Sequence, residues 1–207
     1  ARLEVPYYAQ TSEFSCGPAC VLMTRAYWER DPFQLSRVNE FRTWRRTCLI
    51  GVGGTDAFGL SLPLLDAGYE LRVFNEALPT LPHDLLLTFL TEEDARLTEL
   101  ASRMAREELE AAGVEVVQRA PSLDDVEAGL EGGWVPLCLV GMQEVHEEEI
   151  PHWVVAFAVD EEQVRFHDPY PPAGREGLSV PRARFAKMLD DIHALGASRA
   201  LVLARGP

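Results

Sequence analysis

Apolar residues recur at helical spacing in some stretches of this chain and form unbroken runs in others. Ala19, Leu22, Met23 and Ala26 make one helical stripe. It predicts a helix from Pro18 to about Glu29, since proline in a first turn forfeits no hydrogen bond. Asp31-Pro32 ends that helix, and Ser36 is placed to cap another over Arg37–Thr47. A short apolar helix is expected over Leu62–Ala67, with Ser61 as cap, Pro63 in its first turn and Gly68 closing it. The clearest helical pattern covers Glu92–Ala112, where Leu97, Leu100, Ala101, Met104 and Leu109 share a face and Glu99 can pair with Arg103. Gly113 stops it. Ser122 and Asp125 form a capping-box-like start for a helix that ends at Gly132-Gly133.

Strand-like runs follow a different rhythm. Val5–Tyr8 is extended, and Leu71–Phe74 and Val114–Val117 are short strands. The last third is richer in strands: Val135–Val140, His152–Val159, Gln163–Phe166 and Ala200–Leu203, with a helix over Pro181–Asp190. Asp160-Glu161-Glu162 reads as a hairpin turn, Pro79–His83 as a turn, Gly51–Gly54 as a loop, and Pro169–Gly174 as a stiff, exposed segment. Helices come first and the sheet later, so the class is α+β, in a single domain over 1–207. Its helical part would end near 132, and its sheet would occupy the remainder.

Composition narrows the partners. In 207 residues 47% are hydrophobic, enough for a sizeable core, and the net charge of −14 disfavours nucleic acid and anionic membranes. Arg42, Arg45 and Arg46 around Trp44 therefore read as a solvated helix face or a contact to one acidic ligand. The four cysteines, at 16, 20, 48 and 138, are too few for a disulfide scaffold. No apolar run is long enough to span a bilayer and no leader pattern opens the sequence, so a cytoplasmic location is the default unless a leader has been trimmed.

The chemistry concentrates on Cys16. A helix N-terminus favours negative charge, so the sequence Ser15-Cys16-Gly17-Pro18 places a thiol where its thiolate is stabilised. A nucleophilic thiolate needs a nearby imidazole, close in space and not in sequence. His152 opens a strand whose hairpin partner returns to residues 168–170, so Asp168 can hold one ring nitrogen while the other faces Cys16. His167 would point to the opposite face. Gln10, six residues before Cys16, can donate from its side-chain amide to a developing oxyanion, with the Cys16 backbone N–H as second donor.

Gln10-x5-Cys16-Gly17-Pro18-Ala19-Cys20, His152-Trp153-Val154-Val155 and His167-Asp168-Pro169 resemble the bacteriocin-processing, double-glycine cysteine peptidases. That resemblance implies a papain-like fold, with the nucleophile helix packed on an antiparallel sheet. It gives Cys16 the role of nucleophile, His152 that of base, Asp168 that of orienter and Gln10 that of oxyanion donor, with peptide or amide bonds as substrate. A closer likeness is to stand-alone peptidase-like proteins of that family, carried by Trp44-Arg45-Arg46-Thr47-Cys48-x-Ile50, Gly53-Gly54, Gly59-Leu60 and Pro181-Arg182-Ala183-x-Phe185. Ser15 stands where many leader-processing members carry an acidic residue, and no membrane segment accompanies the site. The resemblance therefore extends to the catalytic residues and not to leader cleavage.

Plainer readings stand beside these. Cys20, one turn after Cys16, is a core residue before it is a redox partner or ligand, and Cys48 and Cys138 are also core. No ligand spacing for zinc appears, so neither metal nor cofactor is expected. The Gly51–Gly54 loop lacks a phosphate-loop ending and reads as part of the cleft. His83, His146 and His193 are solvated, and Trp153 is core. Two rivals remain to simple hydrolysis: transfer of the acyl group to an amine or thiol, and a degenerate peptidase that binds peptides without cutting them.

Overall fold

The fold comes from a computed structural model that describes residues 1–49, 51–78, 80–143, 145, 150–170 and 175–207, without the side chain of Phe33. Helices α1 (Cys16–Glu29), α2 (Arg37–Thr47) and α3 (Ala57–Asp66) come first. Then follow β1 (Glu70–Asn75), α4 (His83–Leu86), α5 (Glu92–Ala111), β2 (Glu115–Val117) and α6 (Leu123–Glu131). The chain closes with β3 (Val135–Gly141), β4 (Pro151–Val159), β5 (Gln163–His167), β6 (Leu178–Pro181), α7 (Arg182–Ala194) and β7 (Ala200–Arg205).

The strands form one sheet in the order β2-β1-β7-β3-β4-β5-β6. The β1–β2 pair is parallel and the other neighbours are antiparallel. The α+β class holds, and β1 and β2, from the largely helical part of the chain, form one flank of the sheet. Strand β6 was not anticipated, because Pro181 reads as a helix start while it in fact pairs with Gln163 at the end of a strand.

Both faces of the sheet are covered. Leu137 and Leu139 of β3 join Met23 of α1 and Leu60 of α3 on one side, while Cys138 and Val140 join Val126 of α6 and Met188 of α7 on the other. Alternate residues of one strand thus enter two separate cores, which is why Val135–Val140 is apolar without a break.

Two helices differ from expectation. Helix α3 begins at Ala57, because the buried Asp56 carboxylate accepts the Gly59 N–H at 2.8 Å and caps it. Ser61 is no cap but lies within the helix, its hydroxyl donating to the Ala57 carbonyl at 2.7 Å. Helix α5 turns a different face inward: Ala95, Thr98, Ser102, Ala105 and Leu109 are buried, while Leu100 and Met104 are 39% and 59% exposed. The reason lies in its neighbour, for the Ser102 hydroxyl donates to the Asp56 carboxylate, and small residues are needed where the helices meet. Glu99 turns to His83, at 3.0 Å from Nδ1.

Two glycines near Cys16 and α3 sit where neighbouring segments approach closely. A Cβ on Gly17 would stand 2.3 Å from Thr55 Cγ2, and one on Gly59 would stand 2.6 Å from the Thr47 carbonyl oxygen. Among the described residues, no helix is long and apolar enough to cross a membrane.

Candidate active site

Cys16 is the first residue of α1. The opening N–H groups of a helix have no partner within it, so the local dipole and these donors favour a thiolate here. Burial works against ionising the thiol. The positive charge and hydrogen bond of His152, and the backbone N–H groups of Trp153 and Gly17, outweigh it and bring the Cys16 pKa below that of an ordinary thiol. Cys20, on the same helix, shows the contrast. It is fully buried, and burial together with the neighbouring Cys16 and Asp168 pushes its pKa well up, so it stays protonated. All four thiols are free of disulfides.

His152 is 3% exposed at the start of β4. Its Nε2 lies 2.7 Å from Asp168 Oδ1, leaving Nδ1 as the ring nitrogen for Cys16. Burial by itself would depress the imidazole, yet the Cys16 charge and the bonds to Asp168 and Cys16 raise it to about 9. Both shifts favour a thiolate–imidazolium pair. Asp168 is fully buried and held in place by its surroundings: the Tyr170 N–H donates to Oδ1 at 2.9 Å, and Arg175 Nη1 is 3.4 Å from Oδ2.

The β4–β5 hairpin makes this meeting possible through an irregularity. Near the turn Val159 faces Val164 and Ala158 faces Arg165, but beyond a bulge Ala156 faces Phe166 and Val155 faces His167. Carried one step further, the alignment sets Asp168 beside Val154, on the side of the ladder that His152 shares. Without the extra residue, Asp168 would fall on the other side. His167 does take the opposite side, stacked on Phe157 at 4.4 Å, with Nε2 bonded to the Val5 carbonyl at 2.8 Å and Nδ1 accepting the Gly177 N–H at 3.1 Å. Burial lowers its pKa, so it is a neutral structural ring.

Gln10 is 3% exposed. Its backbone N–H donates to the Pro169 carbonyl at 2.7 Å, next to Asp168, and its side-chain Nε2 donates to the Ser12 carbonyl at 2.7 Å. That bond uses one of two amide protons, and Oε1 is buried without a partner among the described residues.

A pocket of about 150 Å³ opens beside Cys16, walled by Leu49, Val52, Leu81, Leu139 and Trp153. The glycine loop thus does line the cleft, held by the Trp44 Nε1 bond to the Gly53 carbonyl at 2.7 Å. Trp153 is core as expected and donates to the Thr55 carbonyl at 3.0 Å. Arg46 is not free for a ligand: it pairs with Asp66 at 2.8 Å and with Glu108. His83 sits between Glu92 and Glu99 and is not simply solvated, His193 is largely exposed, and His146 lies outside the described residues. Pro169 is buried, contrary to the expected exposed segment, whose residues 171–174 also lie outside the described ones.

Sequence reasoning missed Glu40, whose buried carboxylate receives hydrogen bonds from Tyr8, Thr11 and Ser15 around the Gln10–Cys16 loop. Its place in an arginine-rich helix suggests a solvated charge, and no local signal marks it as buried. Arg175 was missed for a similar reason, since its partner Asp168 comes close only when the chain folds back.

Known structures share this arrangement of helices and sheet. The peptidase domain of Streptococcus ComA, a bifunctional ABC transporter of a quorum-sensing pathway, superposes with a TM-score of 0.51 at 12% identity, covering 99% of this chain and 100% of that one. A C39-like peptidase of Bacillus anthracis gives a TM-score of 0.53 at 12% identity, covering 98% of this chain and 95% of that one. The fold is therefore that of the papain-like C39 peptidase domains. No curated protein matches the chain. The Peptidase_C39 like family matches residues 5–199, nearly the whole length, and the chain belongs to that family.

Proposed function

We propose that this protein is a cysteine peptidase that hydrolyses peptide or amide bonds with Cys16 as nucleophile. The observation that carries the reading is the contact sequence Cys16–His152–Asp168, with the thiol lowered and the imidazole raised by their mutual interaction. The Cys16 thiolate attacks the substrate carbonyl carbon, and the oxyanion is held by the Cys16 N–H and the Gln10 side chain. The imidazolium of His152 gives its proton to the leaving amine as the C–N bond breaks, leaving a thioester on Cys16. Water then attacks the thioester while His152 takes its proton, and the acid leaves as the thiolate is restored. Asp168 holds the ring through Nε2 and stabilises its charged form. The apolar pocket beside Cys16 suits an uncharged segment of peptide.

The test is twofold. Iodoacetamide at mildly acidic pH should label Cys16 ahead of Cys20 and Cys138, because the Cys16 pKa is lowered while those of the other two are raised. A peptide library read by mass spectrometry should show cleavage by the native chain and none by Cys16→Ala. Cleavage that persists in that variant sinks the proposal. Added amines that appear on the acyl product would instead indicate transfer.

A further inference from the structure

Helix α2 buries an unusual face. Glu40, Thr43 and Thr47 point inward, while Val38 on the same helix is 62% exposed. Glu40 is fully buried, and its carboxylate accepts four hydrogen bonds, all from one short loop. Oε1 takes the Thr11 N–H at 2.8 Å and the Ser15 hydroxyl at 2.5 Å. Oε2 takes the Tyr8 hydroxyl at 2.9 Å and the Thr11 hydroxyl at 2.6 Å. Among the described residues none of these partners is a cation. Burying a carboxylate is costly, and an apolar residue would fill the same space more cheaply.

What the carboxylate supplies is direction. Its two oxygens receive four donors, so the Tyr8, Thr11 and Ser15 hydroxyls all point toward it, which fixes the loop. That loop carries Gln10 at one end and Cys16 at the other. Ser15 has one hydroxyl proton, and its shortest contact gives it to Glu40. Ser15 then accepts from the Ser12 hydroxyl at 2.7 Å, and the Ser12 carbonyl in turn receives the Gln10 amide at 2.7 Å. Thr11, bonded twice to Glu40, follows Gln10 directly in the chain. On the other flank the Gln10 N–H is tied to the Pro169 carbonyl beside Asp168. Glu40 therefore grips both ends of the loop, through its bonds to Tyr8, Thr11 and Ser15.

We infer that Glu40 is a positioning residue that sets the oxyanion donors, Gln10 and the Cys16 N–H, against each other by anchoring the Tyr8–Ser15 loop. The inference rests on the peptidase reading above. It separates two properties that a purely structural role would move together: formation of the thiolate, which depends on His152, and stabilisation of the oxyanion, which depends on the loop.

The experiment compares native chain and Glu40→Gln on a peptide library, with Cys16→Ala as reference. Glutamine keeps the size but makes half of the group a donor, so the Tyr8 and Thr11 hydroxyls must turn round to accept and the fixed direction of the loop's bonds is lost. We expect kcat to fall on the order of 10- to 100-fold with KM little changed, and iodoacetamide labelling of Cys16 at mildly acidic pH to keep its native rate. Equal loss of labelling and turnover would overturn the inference in favour of a structural role, and so would native kcat in Glu40→Gln. If Glu40→Gln does not fold, Tyr8→Phe combined with Thr11→Val removes both hydroxyl donors to Oε2 and leaves the carboxylate in place. Turnover of that variant within about two-fold of native overturns the inference, and a larger kcat loss with labelling retained supports it. Turnover that survives in Cys16→Ala would instead remove the peptidase reading itself.

Discussion

His152 and Asp168 meet diagonally across a hairpin, with Nε2 at 2.7 Å from Oδ1, and the bulge between Ala156 and Ala158 is what sets them on one side of the ladder. The pair is almost fully buried, so its hydrogen bond acts with little screening from solvent.

Asp168→Asn should therefore disable the site without unfolding it. The amide cannot stabilise the imidazolium as the carboxylate does, so the His152 pKa should fall from about 9. Turnover of a peptide library should drop on the order of 10²- to 10⁴-fold, while circular dichroism remains native. Native turnover in this variant would remove Asp168 from the mechanism.

The pH dependence should differ between two assays. Labelling of Cys16 follows the thiolate, so it should rise through a pKa below that of an ordinary thiol and then stay level. Turnover also needs the imidazolium as proton donor, so it should decline as pH passes about 9, where His152 loses its proton. The two limbs belong to the coupled pair and not to either residue alone. A turnover that keeps rising well above that pH would contradict the assignment of His152.

Gln10→Ala should lower kcat by about 10²- to 10³-fold through loss of one oxyanion donor. Labelling of Cys16 should be unaffected, because Gln10 is not among the groups that lower its pKa. Steady-state kinetics together with timed alkylation would detect a failure of either part.

Gly17→Ala should destabilise the fold by about 1–3 kcal/mol, since the new Cβ would stand 2.3 Å from Thr55 Cγ2. Thr55→Ser removes that methyl group, so the double variant should recover part of the loss. Urea unfolding of the four proteins of the cycle measures the coupling. Simple additivity would show that the close approach is not what requires glycine here.

Asp56→Ala should cost about 1–3 kcal/mol, since it removes the cap of α3 and leaves the Ser102 hydroxyl buried without its acceptor. A change in unfolding midpoint within error would refute this account of α3.

Much of the fold was legible because local chemistry dictates it. The stripe Ala19, Leu22, Met23 and Ala26 marked α1, the Ser122–Asp125 box marked α6, and the Asp160 turn marked the hairpin, with Asp160 Oδ1 accepting the Gln163 N–H at 2.8 Å. The face of α5 was not legible. Leu100 and Met104 look like core residues by period alone, but Asp56, the cap of the partner helix, takes the Ser102 hydroxyl instead. Strand β6 was hidden because its pairing depends on β5 and not on its own composition.

The sequence by itself determined the kinds of element and the chemistry they could bear: a cysteine at a helix start, a histidine opening a strand, an aspartate at the end of the returning one. These follow from periodicity and capping, which act over a few residues. Tertiary structure decided the rest: that one bulge turns Asp168 toward His152, and that Glu40 is drawn from an arginine-rich helix into the interior. Both outcomes depend on which surface is covered by a segment distant in the chain, and no short-range pattern encodes that.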